Sequence, residues 1–279
     1  MIPKFPCCGS SRNTRWMYCV RTSIVIMFFA AASLVVRSRL AIAQDTNPPT
    51  SGVVVADGLT TSEIVAHLEQ RNQERLQALR EFQGTRSYRI EYKGPWGNHE
   101  AEMTVFVRYK SPNDKQFMIL SESGSKILCD RVLKGIVNAE KEAATTENQE
   151  KTELSERNYS FSFAGTENTT DGEQYVISVT PKTDYKYLYR GKIWIDANDF
   201  AATQIQAEPA KNPSFWIKRS EINHRYEKVD EFWLPAEDHA QSWIRMGGQA
   251  VLSIDYAHYE ITDPVTANAT VDAVGAAGH

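Results

Sequence analysis

Six histidines, His67, His99, His224, His239, His258 and His279, are the side chains of this chain best suited to metal ligation or proton transfer. None is spaced as His-x-His or His-Glu-x-x-His, the arrangements that aim two imidazoles at one ion. His224, His239 and His258 fall on neighbouring predicted strands. They either converge or stand as separate hydrogen-bonded side chains; the second is the expectation, and no metal site is assigned. Cys129 falls on a helical apolar stripe and reads as a small buried hydrophobe. Ser214 and Ser220 lack the strand–turn–helix setting of a nucleophilic serine. Asp196, Glu221, Asp230 and Asp238 supply carboxylates, but no spacing marks two of them as an acid–base pair. The chain therefore reads as non-catalytic and free of cofactor.

Apolar side chains offer a different chemistry. Tyrosines and tryptophans concentrate in predicted strands, either as ordinary sheet core or as the wall of an apolar groove. Strand alternation selects Phe106, Phe117, Ile119, Ile177, Ile193, Ile195, Ile205, Phe215, Ile217 and Trp243 as the expected lining. Leu68, Leu76 and Leu133 are the helical side chains expected to plug it.

Those residues need strands with one buried and one wet face. Alternation is clearest at Tyr175, Ile177 and Val179 and at Ile193 and Ile195, which predicts an antiparallel sheet. Strands are expected near 86–93, 100–110 and 114–121. Seven more are expected near 159–165, 173–181, 187–196, 200–208, 215–229, 231–245 and 249–262. Gly94-Pro95-Trp96-Gly97-Asn98 and Ser111-Pro112-Asn113-Asp114 supply turns. Thr60 with Glu63 makes a capping-box pattern, and Leu59 with Ile64 a hydrophobic staple. A first helix is therefore expected from Thr60 to a stop at Gly84, with Ile64, Val65, Leu68, Leu76, Leu79 and Phe82 on one face. A second is expected over 125–144 on Leu128, Cys129, Val132, Leu133 and Ile136, with Ile127 and Val137 outside the stripe. The charged stretch 140–157 is expected to be solvent-exposed.

The first 43 residues are set apart by charge. Six of the 31 basic residues and none of the 35 acidic ones lie there, so the remainder carries 25 against 35, about −10. A basic start, an apolar run over 23–36 and Ala41-Ile42-Ala43 form the layout of a signal peptide cleaved after Ala43, an uncleaved anchor being the alternative. Residues 44–58 read as a flexible lead-in, 59–263 as a single domain and 264–279 as a disordered tail. The acidic balance excludes nucleic acid as a partner. Cys7, Cys8 and Cys19 lie in the leader, so Cys129 has no disulfide partner in the mature chain. The mature protein is expected to be periplasmic and monomeric.

Tyr189-Arg-Gly-Lys-Ile-Trp-Ile-Asp196, the strand from Phe200, Pro209-Ala-Lys-Asn-Pro-Ser-Phe-Trp216 and Trp233-Leu-Pro235 resemble the outer-membrane lipoprotein-sorting family of LolA type. The resemblance runs from about Thr60 to Thr262 and is best over 131–140, 186–225 and 232–235. It implies an α+β fold: a strongly curved, unclosed antiparallel half-barrel with helices covering its concave side. It also implies a non-catalytic periplasmic carrier whose apolar cavity shields acyl chains of lipoproteins or other lipids. Related half-barrels serve as sensors that bind inner- or outer-membrane proteins, which is the alternative function.

Overall fold

The computed structural model describes residues 54–56, 58–111, 114–143, 151–170, 172–212 and 215–262. The leader, its cleavage site and the tail beyond Asp263 lie outside the described residues.

Two short strands, β1 (Val54–Ala56) and β2 (Leu59–Thr60), pair with each other. β1 falls within the stretch read as lead-in. Helix α1 (Thr61–Ala78) follows, then β3 (Glu81–Gly94), β4 (Gly97–Lys110) and β5 (Asp114–Gly124). A helical segment comes next, made of α2 (Lys126–Leu128), a π-helical turn at Cys129–Leu133 and α3 (Lys134–Ala143). Seven strands complete the fold. They are β6 (Tyr159–Thr169), β7 (Gly172–Pro181), β8 (Tyr189–Asp196), β9 (Ala202–Pro209), β10 (Ile217–Val229), β11 (Phe232–Ile244) and β12 (Gln249–Thr262).

β3 to β12 form one unclosed antiparallel sheet of ten strands, in the order β5-β4-β3-β12-β11-β10-β9-β8-β7-β6. Sequence neighbours pair throughout except β5 and β6, which form the two edges, and β12 returns to lie beside β3. Short turns make this possible. Gly94 faces Gly97 across the β3–β4 turn, and Gly97 has φ +97, open to glycine without strain. At the other end of the chain's meander, Asp196 accepts hydrogen bonds from the backbone N–H of Asn198 (2.9 Å) and Asp199 (2.7 Å), closing the β8–β9 turn.

The α1 start is as the sequence predicts. Thr60 and Glu63 cap each other, the Thr60 N–H donating to Glu63 at 2.7 Å. The end is not. The helix stops at Ala78 and Leu79 is already extended (ψ 102), so Phe82 and Gly84 belong to β3. Long-range pairing with β4 and β12 overrides a helical pattern that runs on by accident of spacing. The second helix differs in phase. Its π-helical turn accommodates one extra residue, which brings Val137 onto the buried face beside Leu133 and Ile136.

Two apolar clusters form between helices and sheet. In the first, Cys129, Val132, Leu133, Ile136 and Val137 pack with Tyr88, Ile90, Met103, Val105, Leu252 and Ile254. In the second, Ile64 and Leu68 of α1 pack with Tyr159, Tyr175, Ile177, Ile193, Ile195 and Ile205. β10 contributes to both, through Ile222 and Tyr226.

Candidate functional site

His224 lies on β10 between Ile222 and Tyr226, and there the sheet changes from apolar to polar. A row of buried polar side chains crosses four strands at this level. Arg86 of β3 pairs in register with Tyr256 of β12, and Asp238 of β11 with His224 of β10. Tyr256 donates its hydroxyl to Asp238 Oδ2 (2.5 Å), and His224 Nδ1 lies 2.5 Å from Asp238 Oδ1. The Arg86 guanidinium stacks 4.7 Å from the Tyr256 ring centroid. From above, Glu140 of α3 meets Arg86 at 2.5 Å and also accepts from Lys115 of β5.

All of this is out of water. Glu140 is 1% exposed, Asp238 4%, Arg86 5% and His224 8%. Burial alone works against the Arg86 charge, but the charge and hydrogen bond of Glu140, with Tyr88 and Tyr256, together outweigh it and hold the guanidinium more firmly protonated than usual. Burial wins at Lys115, whose ammonium is lowered in spite of Glu140. At His224 burial opposes the charged ring, and the Asp238 carboxylate reverses the balance and raises its pKa. Burial pushes the Tyr88 hydroxyl up to about 12. The row carries charge inside the sheet. Its evident chemistry is to fix α3 on the sheet.

Glu140 therefore corrects the expectation that 140–157 faces solvent. The signal was present: Glu140 lies four residues beyond Ile136 on the buried face, and Arg86 shares the strand parity of Tyr88 and Ile90. The three strand histidines do not converge. His239 faces away and contacts Ser253 (3.3 Å), and His258 meets Thr85 (2.9 Å). Among the described residues no group of three or more His, Cys, Asp or Glu is placed to hold a metal.

The thirteen expected lining residues separate. Leu68, Ile177, Ile193, Ile195 and Ile205 meet in the second cluster. Leu133 lies in the first, with Phe117 packed against it. Ile217 is buried opposite Ile244, and Leu76 is half-buried on α1. Ile119 pairs with Val105 on the helix-bearing face but is 40% exposed, because β5 is an edge strand. The rest are corrections. Phe106 lies on the opposite face, since Met103, Val105 and Val107 hold the buried parity. Trp243 does likewise, because its neighbour Ser242 faces Ser220 inside. Phe215 precedes β10 in a loop and is 75% exposed.

These features define an open ten-stranded antiparallel sheet with helices packed against strand side chains and a buried polar row between two apolar clusters. A family model, described as a family of unknown function (DUF5686), matches residues 154–258. No curated protein matches the chain. Similar solved structures include a DUF1329 family protein from Desulfovibrio piger, 11% identical over 73% of this chain and 94% of that one, with TM-score 0.39. A LolA superfamily protein from Nitrosomonas europaea is 14% identical over 74% and 94%, with TM-score 0.33. A putative outer membrane lipoprotein-sorting protein domain from Vibrio parahaemolyticus is 9% identical over 72% and 94%, with TM-score 0.35. The topology above rests on this chain's own strand pairings.

Proposed function

We propose that the protein is a non-catalytic, exported binder of lipid or lipoprotein acyl chains, which enter between α1 and the sheet. In this reading the sheet is a strongly curved half-barrel and its helices cover the concave side. One observation carries it: the contact of α1 with the second cluster is made by the first half of the helix alone. Ile64, Val65 and Leu68 are buried, and no residue from Glu69 to Ala78 is. The second half is held mainly by Arg75, which donates to the backbone carbonyls of Asp199 and Phe200. Swinging α1 away would uncover Ile177, Ile193, Ile195 and Ile205 together. An acyl chain laid there would regain about 0.8 kcal/mol for each buried methylene. α3 is the fixed element in this scheme, because Glu140 ties it to Arg86 and Lys115.

The basic leader supports export, and the mature N-terminus is expected at Gln44. The test is binding of a fluorescent fatty-acyl probe by the full chain, with mass spectrometry of lipids co-purified from its native envelope. Saturable binding and a co-purified acyl lipid are expected. A chain that takes up no probe and carries no lipid would be a filled scaffold, and the carrier reading would fall.

A further inference from the structure

Three loops meet at one end of the sheet. The register places Lys93 beside Gln249, Gln249 beside Trp243, and Ile244 beside Ile217. The β3–β4 turn (94–97), the β11–β12 turn (245–248) and the described residues leading into β10 (210–212 and 215–216) therefore project from the same end. They touch: a Cβ on Gly247 would come 2.9 Å from Pro95 Cγ, and the Arg245 N–H donates to the Trp216 carbonyl at 2.8 Å.

The tips of these loops are apolar. Trp96 is 45% exposed, Met246 47% and Phe215 75%. Trp216 meets Phe215 edge-on at 5.5 Å, and the Arg245 guanidinium lies 5.4 Å from the Phe215 ring. Lys211 is exposed beside them. None of the three loops contains an Asp or Glu, in a chain with 35 acids against 31 bases. Asp230 and Glu231 stand exposed in the β10–β11 turn, and Asp199 occupies the neighbouring β8–β9 turn. The three loops thus gather large apolar tips with Arg245 and Lys211, whereas the β10–β11 turn carries acids and no large exposed apolar side chain.

We infer that this loop end docks on the surface of a bilayer containing anionic lipid. Aromatic side chains that are apolar in body and polar at one edge settle at the headgroup boundary, and the cations beside them meet lipid phosphates. No described helix is long and apolar enough to cross a membrane, and the contact inferred for these loops is a surface one. Seating the tips would bury Trp96, Phe215 and Met246 at once while the β10–β11 turn faces away. A protein partner would be met by charge and shape around the tips; a bilayer needs only exposed apolar tips in a cationic collar, which is what the loops present.

The test uses the full chain carrying an environment-sensitive dye at Phe215→Cys, compared with the parent labelled in the same way and with a dye at Glu231→Cys. On phosphatidylglycerol vesicles the emission at position 215 is expected to shift to the blue, that at 231 to stay, and vesicles of phosphatidylcholine alone to give a weaker shift. Arg245→Glu is expected to weaken partition on the order of tenfold, and added salt to weaken it further. Trp96→Ser with Met246→Ser, both on exposed tips, is expected to abolish the shift with no change in melting temperature. No shift at 215, equal shifts at 215 and 231, or a shift indifferent to Arg245→Glu would each overturn the inference. These outcomes are independent of whether the chain also binds free acyl probes.

Discussion

Glu140 on α3 meets Arg86 on β3 at 2.5 Å, with 1% and 6% of their side chains exposed. Lys115 donates to the other oxygen of the same carboxylate, so one acid on a helix answers two cations on the sheet. Such a group is more costly to break than to replace as a whole.

Glu140→Ala is expected to destabilise the protein by about 3–5 kcal/mol, because Arg86 and Lys115 would remain buried without their counter-ion. Replacing all three with Met is expected to recover most of that loss. Urea denaturation of the two variants checks both. A single variant within the error of wild type would mean that water reaches the cations.

Stability is expected to depend on pH through His224. The neighbouring Asp238 raises its folded pKa above the ordinary histidine value. The stability it contributes is therefore complete below about pH 6.5, the unfolded value, and is lost as pH rises through the higher folded value. His224→Gln should flatten the fall in stability on the alkaline side of neutrality. Denaturation midpoints compared between about pH 6 and about pH 9 test this.

Gly191→Ala is expected to impair folding by at least about 2 kcal/mol. Gly191 faces Ala207 across β8–β9, and a Cβ there would lie 2.1 Å from the Gln206 carbonyl oxygen and 2.6 Å from the Ala207 Cα. Both obstacles are backbone and cannot rotate aside. A soluble variant with an unchanged melting temperature would count against this account.

Thr60→Ala should cost about 1 kcal/mol by removing the α1 cap. If α1 is the element that opens, the same change should speed uptake of an acyl probe. Stopped-flow fluorescence separates that effect from simple loss of stability, which would lower the bound fraction without raising the rate.

What the sequence determined by itself was local. Alternation placed ten strands, with β12 matching its expected span over Gln249–Thr262. Thr60 and Glu63 marked the start of α1, because a cap depends only on residues three apart. Ile193 and Ile195 shared a face because the side-chain period of a strand is two.

What the tertiary structure decided was every relation that crosses from one element to another. Phe106 and Trp243 lay on the other face, since period two says which residues belong together but not which set turns inward. Phe82 left its helix because β4 and β12 offered it a ladder. Spacing put Glu140 and Arg86 on buried faces, but which charge meets which could not be read from it. Arg86, Lys115, Glu140, Asp238 and His224 are scattered over more than half the chain, and each alone resembles a solvated charge. Only the return of β12 beside β3, with α3 laid above them, removes water from all five and makes their charges answer one another.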